Sequence, residues 1–193
     1  MIKLKELIST KSNLLSLLRL LLVIPIWMLF DNINAGSNRI IIMCLCWFAA
    51  LTDILDGYLA RKFNEVTEMG KIIDPLADKF VIGVVVLRLF FSGEVPDYYF
   101  WMILGRDALI FTGGILVSKK LGRVLPSNML GKITVISIGL TLFFILLQVD
   151  RSSIFFKGLY LLSIILIVSS LFGYAIRSFE FIRQKNNEPA KES

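Results

Sequence analysis

The sequence predicts an all-α integral membrane protein with six transmembrane helices, and three observations support this prediction. Of its 193 residues, 56% are hydrophobic and 19% are charged, whereas soluble domains average about 45–50% and about 25%. The mean hydropathy is +0.75. Apolar runs of about 20 residues, the length that crosses a bilayer core, recur along the whole chain. A soluble globule and a disordered chain are therefore both disfavoured.

Six apolar runs account for nearly the whole chain. The predicted spans are Leu14–Phe30, Ile40–Leu59, Ile72–Phe91, Tyr98–Val117, Leu130–Val149 and Ile154–Phe179. Short polar or breaker-rich links separate them, at 31–38, 61–71, 92–97, 118–128 and 150–153. Because the spans leave no room for a soluble domain, we expect one transmembrane domain over residues 1–193, with a polar tail at about 183–193.

The first span is expected to be retained rather than cleaved as a signal peptide. Arg19 interrupts its apolar run, and five further spans follow it. Ahead of it, Met1–Ser9 alternates apolar and charged residues, which suits a short interfacial amphipathic helix or, equally well, a solvated leader.

Basic residues are concentrated on one side of the predicted bundle. Lys and Arg cluster before the first span, in the second-to-third and fourth-to-fifth links, and after the sixth span. The positive-inside rule then predicts that both termini face the cytoplasm. The net charge of +6 suits an anionic membrane surface or a phosphate-bearing substrate. No basic run is long enough to indicate a nucleic-acid-binding arm.

Histidine is absent from the sequence, and the two cysteines, Cys44 and Cys46, lie in one apolar run. A histidine general base, a histidine-ligated zinc site and a disulfide framework are therefore excluded. A carboxylate remains available as a general base.

Four aspartates lie in the second and third spans, where a charge costs roughly 2.5–3.5 kcal/mol at the membrane centre. Asp53 and Asp56 are three residues apart, and Asp74 and Asp78 are four apart, so each pair shares a helix face. The short link between the spans makes them antiparallel neighbours whose aspartate pairs can face each other. Their distance from the link places them near the cytoplasmic rim.

Converging carboxylates without histidine or cysteine form a hard-oxygen site, which favours Mg²⁺ or Mn²⁺ over Ca²⁺. Two divalent ions would neutralise the four charges and clamp a phosphate ester. Gly57, Ala60 and Gly70 let a bulky ligand approach the backbone, and Arg61 offers a bidentate phosphate contact. Buried salt bridges explain the cluster less well, because too few cations accompany these acids.

One motif covers the end of the second span and the start of the third. It reads Asp53-x-x-Asp56-Gly57-x-x-Ala60-Arg61, then eight residues, then Gly70-x-x-x-Asp74-x-x-x-Asp78. These eight fixed positions over 26 residues resemble the signature of the CDP-alcohol phosphatidyltransferase family. The six-helix layout also fits that family's fold. The sequence Asp-Pro-Leu-Ala-Asp-Lys at 74–79 is most similar to that of the family's phosphatidylglycerophosphate synthase branch.

The resemblance implies transfer of the phosphatidyl group of CDP-diacylglycerol to glycerol-3-phosphate, giving phosphatidylglycerophosphate and CMP, in the cytoplasmic (inner) membrane of a bacterium. It assigns as metal ligands Asp53, Asp56, Asp74 and Asp78. It also makes Asp78 the general base. The CDP contacts that it implies are Asp53, Gly57, Ala60, Arg61 and Gly70. A homodimer is expected on the same ground.

The phosphate of the acceptor requires cations. Arg106 and Lys132 are the preferred candidates, because Arg gives bidentate phosphate contacts. Arg19 and Lys79 are weaker candidates, since long cations at a membrane rim also anchor or snorkel. Asp107, the acid of the fourth span, is better explained as an orienting partner of Arg106 than as part of the aspartate cluster.

The identity of the acceptor stays open at this point. The segment Gly105-Arg106-Asp107 replaces the more usual Ala-Arg-Glu and resembles the related cardiolipin synthases, which accept phosphatidylglycerol. Gly131-Lys132-Ile133-Thr134 matches a Gly-Lys-x-x-Thr segment common to both branches. A small cation transporter is an alternative from another class, although the acids gather at one end of their spans and no internal repeat is evident. A non-catalytic membrane scaffold is the least favoured alternative.

Overall fold

The computed structural model describes the backbone of residues 11–63, 70–121 and 129–187, and the side chains of residues 14–55, 79–117, 129–181 and 183. Within these ranges every regular element is helical. The α-helices are α1 (Lys11–Leu29), α2 (Gly36–Phe63), α3 (Gly70–Phe91), α4 (Asp97–Leu121), α5 (Met129–Leu146) and α6 (Ile154–Asn187). The prediction of an all-α fold with six helices is confirmed. The segment Met1–Ser9, predicted to be interfacial, lies outside the described residues.

Within the described residues, five helices are long and apolar enough to cross a membrane: α1, α2, α4, α5 and α6. Only 17–39% of their apolar stretches is buried inside the protein, and large side chains such as Leu21, Trp101 and Phe172 are exposed. An apolar exterior of this extent needs a covering of lipid chains. Helix α3 carries five ionisable residues among its 22, and its predicted role as a sixth span stays a prediction.

Observed helix ends differ from the predicted ones because hydropathy marks where lipid begins, not where a helix begins. Helix α2 starts at Gly36 rather than Ile40 and continues through Arg61 to Phe63. The Asn38 side-chain amide in its first turn donates to the Asn32 carbonyl at 3.0 Å, which ties α2 to the preceding 3-10 turn at Phe30–Asn32. Helix α6 continues past the predicted end, into the polar tail, as far as Asn187.

Helices α3 and α5 end in the same way, with a residue of positive φ. At the end of α3, Gly93 has φ of 71°, and the N–H of Glu94 donates to the Leu89 carbonyl at 2.9 Å. At the end of α5, Gln148 has φ of 54°, and the N–H of Val149 donates to the Phe144 carbonyl at 3.2 Å. Both ends have the Schellman pattern. The predicted extension of the fifth span to Val149 is therefore wrong, since α5 ends at Leu146. Hydropathy does not reveal this end, because Val149 in the turn is itself apolar.

The helices group into two compact units, Met1–Glu94 and Val95–Ser193. In the first unit, α1 packs against both α2 and α3. The buried side chains of this unit include Ile26, Phe30, Ile42, Val86 and Leu89. The organisation as one domain, predicted from the sequence, stays a prediction.

Two arginines of the first unit are neutralised far from the predicted aspartate cluster along their helices. Arg39, in the first turns of α2, is buried and pairs with Glu94 at 2.8 Å. Arg88, near the end of α3, pairs with Asp31 and lies 4.7 Å from the centre of the Trp27 ring. These contacts join the ends of helices, so Arg39 and Arg88 have structural roles.

In the second unit, α6 packs against both α4 and α5. Its apolar core includes Ile103, Ile138, Leu142, Ile145 and Ile167. Buried hydroxyls cross-link these helices: the hydroxyls of Tyr99 and Ser163 lie 2.8 Å apart, and Thr134 donates to the Leu166 carbonyl at 3.2 Å. Such bonds satisfy polar groups that lipid could not.

Candidate functional site

Asp53 on α2 is the one predicted metal ligand whose side chain the structure describes, and it faces Arg19 of α1. Asp53 Oδ1 lies 3.3 Å from Arg19 Nη1. The Arg19 side chain is 1% exposed, whereas that of Asp53 is 47% exposed. The arginine therefore holds the carboxylate from inside the unit, while the carboxylate itself stays open to a ligand.

The residue before Asp53 points the other way. Thr52 is buried, and its hydroxyl donates to the carbonyl of Ala49 at 2.7 Å, one turn earlier in α2. Because successive helix positions differ by about 100°, burying Thr52 brings Asp53 towards the rim of the α1–α2 contact. This explains why one of two adjacent polar residues is satisfied internally and the other is exposed.

The remaining residues of the motif all lie on α2 and α3, including Arg61 and Gly70, which were predicted to lie in the link between the two spans. Asp56, Gly57, Ala60 and Arg61 lie in the last turns of α2, and α3 begins at Gly70. Asp74 and Asp78 lie in the first turns of α3. The side chains of all these residues are outside the described set.

The predicted metal site is tested only in part by this geometry. Among the described side chains, no group of three or more acids or cysteines could hold a metal ion, and that part of the chain contains only Asp53 of the four predicted ligands. The metal ligands, the general base and the CDP contacts assigned from sequence therefore stay predictions. What the structure adds is the Arg19 partner of Asp53.

Arg106 on α4 lies at a junction of three helices in the second unit. Its side chain is 7% exposed, and its Nη1 donates to Asp107 Oδ1 at 2.6 Å. Its Nε donates to the hydroxyl of Ser170 on α6 at 3.2 Å. Its Nη2 donates to the carbonyl of Gly131 on α5 at 3.3 Å. The expectation that Asp107 orients Arg106 is confirmed.

The Gly-Lys-x-x-Thr segment at the start of α5 divides into an inward and an outward part. Thr134 is fully buried and donates to the carbonyls of Leu130 and Leu166, at 2.7 and 3.2 Å. Gly131, three residues earlier and on the same face, accepts the bond from Arg106. Lys132 is exposed. Thus Thr134 bonds α5 to α6, Gly131 contacts Arg106, and Lys132 is the exposed charged residue of this segment.

Lys79 of α3, the fourth cation assigned to the acceptor, is also exposed. The four predicted acceptor cations thus fall into a buried pair, Arg19 and Arg106, and an exposed pair, Lys79 and Lys132. Each of the buried arginines makes an ion pair with an aspartate. Contact with an acceptor phosphate stays a prediction for all four.

Ser170 was not singled out from the sequence, although it contacts Arg106, one of the two preferred candidates for binding the acceptor phosphate. It is one of several serines in the sixth apolar run, and a serine in a transmembrane helix commonly bonds to its own backbone. Its position seven residues after Ser163, which places both on one helix face, is the signal that would have indicated an inward polar stripe.

Comparison with known proteins identifies the family to which the chain belongs. The family model for CDP-alcohol phosphatidyltransferase matches residues 9–175. A CDP-diacylglycerol–glycerol-3-phosphate 3-phosphatidyltransferase of Aquifex aeolicus is 37% identical over 176 residues, which is 88% of this chain and 96% of the relative. A protein of the same name from Bacillus subtilis is 36% identical over 133 residues, covering 63% of this chain and 68% of the relative.

The chain belongs to the CDP-alcohol phosphatidyltransferase family, as its motif predicts. It is a multi-pass membrane protein and an enzyme of the phosphatidyltransferase class. A further relative with the same enzyme name, from Rickettsia bellii, is 39% identical over 87 residues, or 45% of this chain and 48% of that protein. Membership of the CDP-alcohol phosphatidyltransferase family disfavours a cation transporter and a non-catalytic scaffold, the two alternatives from other classes.

Proposed function

We propose that this chain transfers the phosphatidyl group of CDP-diacylglycerol to glycerol-3-phosphate, forming phosphatidylglycerophosphate and CMP in phospholipid biosynthesis. The observation that carries the proposal is the 37% identity to the A. aeolicus enzyme, which extends over 96% of that enzyme's length. The two substrates are those that its name gives.

The donor set fits a divalent metal. Asp53 offers hard oxygen ligands, and its 47% exposure leaves them accessible while Arg19 holds the carboxylate from the inside. Asp56 lies three positions further along α2, and Asp74 and Asp78 lie four apart on α3. We propose that these four residues hold Mg²⁺ or Mn²⁺, two ions in all. Bound there, the metal would neutralise charge on the pyrophosphate of the nucleotide lipid.

Asp78 is the proposed general base. Its carboxylate accepts the proton of the glycerol-3-phosphate hydroxyl as that oxygen bonds to the phosphatidyl phosphorus. The bond from this phosphorus to the oxygen of CMP breaks in the same displacement, so CMP leaves with the electron pair. Asp78 lies one turn after Asp74 on α3, so the base follows the metal-binding position on a rigid helix.

The CDP moiety is proposed to contact the motif at the end of α2 and the start of α3. Asp53 takes part in both metal and CDP binding, and Arg61 supplies a charged fork for phosphate oxygens. Gly57, Ala60 and Gly70 have side chains small enough for the nucleotide to approach the helix backbone.

The acceptor phosphate is proposed to bind Arg106, with Lys132 as the second cation and Arg19 and Lys79 as further candidates. Arg106 is held rigid by three helices, so little side-chain entropy remains to be lost when it binds a phosphate. Lys132, exposed in the first turn of α5, adds a mobile point charge.

One observation favours a second candidate acceptor. Asp107 stands where glycerol-3-phosphate-using members usually have glutamate, and it bonds directly to Arg106 at 2.6 Å. A shorter acid at this position resembles the cardiolipin synthases, whose acceptor is phosphatidylglycerol. The phosphate of either acceptor could bind the same arginine.

A side-by-side assay of purified enzyme in detergent distinguishes the two acceptors. CDP-diacylglycerol with Mg²⁺ is supplied with glycerol-3-phosphate, with phosphatidylglycerol or with neither, and the lipid products are resolved by mass. The proposal expects phosphatidylglycerophosphate and equimolar CMP in the first reaction alone. If product forms only with phosphatidylglycerol, then phosphatidylglycerol is the acceptor in place of glycerol-3-phosphate. If no CMP is released with any acceptor, the proposed function is wrong.

We also propose that the enzyme lies in the cytoplasmic membrane of a bacterium as a homodimer, with both termini in the cytoplasm. The orientation is supported by the clustering of Lys and Arg before the first span and after the sixth. The bacterial membrane and the homodimer rest on the resemblance to the family. Protease removal of a C-terminal tag from inverted but not from right-side-out vesicles checks the orientation. The mass of the protein in a detergent micelle, measured by light scattering, checks the dimer.

A further inference from the structure

We propose that Gly131 and Ser170 are positioning residues that hold Arg106 in the orientation required to bind the phosphate of the acceptor. This role rests on the proposed function, in which Arg106 contacts that phosphate. Neither residue carries charge, and both act through the hydrogen bonds they accept from the guanidinium group.

The guanidinium of Arg106 has five N–H groups on three nitrogens. Within the described part of the chain, it makes one hydrogen bond from each nitrogen: Nε to Ser170, Nη1 to Asp107 and Nη2 to Gly131. One N–H therefore remains on each of the two terminal nitrogens. Each of these N–H groups can donate to a phosphate oxygen. The three protein contacts fix the plane in which those donors lie.

Ser170 is well suited to receive the Nε–H. It is 2% exposed, and its hydroxyl donates to the carbonyl of Ile167 at 2.8 Å, one turn earlier in α6. That bond orients the hydroxyl hydrogen towards its own helix and leaves the oxygen as an acceptor for Arg106 at 3.2 Å. An alanine here removes the acceptor from a buried cation and frees the guanidinium plane to rotate.

Gly131 allows the guanidinium of Arg106 to approach α5 closely. A Cβ built on it would lie 3.3 Å from Arg106 Nη2, close enough to push the guanidinium by a few tenths of an ångström. Gly139 lies on the same helix, and a Cβ added there meets nothing within 4 Å. Because glycine is a poorer helix former than alanine, the close approach of Arg106 is the physical reason for a glycine at 131.

Comparison of Gly131→Ala with Gly139→Ala separates positioning from structural support. Alanine improves helix propensity at both positions, so both variants should keep or slightly raise the thermal unfolding temperature in detergent. We expect the KM for glycerol-3-phosphate to rise about three- to tenfold in Gly131→Ala, because small displacements of a positioned group weaken its contacts. The KM for CDP-diacylglycerol should stay within about twofold, and Gly139→Ala should match the wild type in both.

A second pair of variants tests the α6 contact. Ser170→Ala should raise the KM for glycerol-3-phosphate about five- to twentyfold, the effect of leaving a buried charged donor unpaired. Its control, Ser163→Ala, removes an equally buried serine hydroxyl on the same face of α6. That hydroxyl donates to the Tyr160 carbonyl at 2.7 Å and lies 2.8 Å from the Tyr99 hydroxyl of α4, so it too joins two helices. The control should lower the unfolding temperature by a similar amount but leave both KM values at their wild-type levels.

An unchanged acceptor KM in Gly131→Ala, or an equal rise in the KM of both substrates, would overturn the positioning role. So would equal kinetic effects of Ser170→Ala and Ser163→Ala. These outcomes presuppose wild-type turnover with glycerol-3-phosphate. Absence of that turnover overturns the proposed function first, and the role of Gly131 and Ser170 with it.

Discussion

Arg19 and Asp53 form an ion pair between α1 and α2, with 3.3 Å between Arg19 Nη1 and Asp53 Oδ1. The arginine is almost completely buried, and the aspartate is about half exposed. One charge of the pair thus belongs to the interior of the unit and the other to a surface that a ligand can reach. The pair connects the packing of α1 to the position of a predicted metal ligand.

Replacing Arg19 by Met should weaken both the fold and the activity. The change keeps most of the side-chain volume but leaves the carboxylate of Asp53 without this cation. Breaking a buried pair costs 3–5 kcal/mol, and the exposure of Asp53 reduces this, so we expect a loss of about 1–3 kcal/mol in unfolding free energy. Turnover should fall by at least about tenfold, the effect of losing a ligand's supporting contact.

Thermal unfolding in detergent and initial-rate kinetics measure the two effects, and Arg19→Lys is the matched control. Lysine retains the charge without the fork, so it should recover more stability than activity. If Arg19→Met unfolds like the wild type and turns over at the wild-type rate, the ion pair supports neither the fold nor the activity.

Replacing Asp78 by Asn should abolish turnover and largely preserve binding of CDP-diacylglycerol. The amide cannot accept the proton of the incoming hydroxyl, but it keeps the size of the side chain and an oxygen ligand. Single-turnover release of CMP measures the first property, and equilibrium binding of the nucleotide lipid measures the second. The same substitution at Asp97, an exposed acid at the start of α4, is the control. If the Asp78→Asn enzyme is active, Asp78 is not the general base.

The features predicted from the sequence and those missed differ in physical kind. The six helices and the positions of Asp53 and Asp74 follow from hydropathy and from spacing along a single helix, which one sequence displays directly. The contacts of Arg19 with Asp53 and of Arg106 with Ser170 join helices far apart in the chain. Neither leaves a pattern in one sequence, because a lone arginine or serine in an apolar run is compatible with several partners.

Helix ends show the same limit on a smaller scale. The turn after α3 carries its signal in Gly93, whereas the turn after α5 uses Gln148 in the same left-handed region. Glycine is the usual sequence signal for such a turn. Because Gln148 does not give this signal, the predicted end of the fifth span, Val149, lies three residues beyond the end of α5 at Leu146. The remaining apolar residues, Leu147 and Val149, extended the predicted span.

The positive φ values at these two ends give opposite predictions for substitution. Gly93→Ala should lower the unfolding free energy by about 1 kcal/mol, since a Cβ is strained at φ of 71°; no neighbour lies within 4 Å of that Cβ, so crowding adds nothing. Gln148→Gly should raise it by about 0.5–1 kcal/mol, because the strain of φ at 54° is relieved. Denaturation in detergent measures both, and equal signs for the two variants would contradict the assignment.

Removal of divalent metal should abolish CMP release without unfolding the protein. The four-aspartate cluster is proposed to hold the ions, whereas the buried apolar side chains that hold the described helices together, such as Ile26, Ile42 and Ile138, lie outside it. We expect EDTA to stop turnover and Mg²⁺ or Mn²⁺ to restore it, with Asp53→Asn requiring at least about tenfold more metal for half-maximal rate. Asp97→Asn again serves as the control. Full activity in excess EDTA would exclude a metal requirement.

Asp150, in the link before α6, is expected to stay ionised to a lower pH than an ordinary aspartate. Its carboxylate accepts a bond from the Ser152 hydroxyl at 2.6 Å and another from the Ser152 N–H at 2.9 Å. These two bonds favour the charged form and hold the pKa of Asp150 below its usual value.

The sign of the pH effect follows from that direction. A pKa lowered in the folded state stabilises the link above the unfolded-state pKa, and this stabilisation is lost as the pH falls through the folded-state value. Ser152→Ala removes the hydroxyl bond and should raise the pKa of Asp150 towards the ordinary value. Titration of the Asp150 carboxyl carbon by NMR, assigned by its absence in Asp150→Asn, measures the change; an unchanged pKa in Ser152→Ala would show that the hydroxyl contributes nothing.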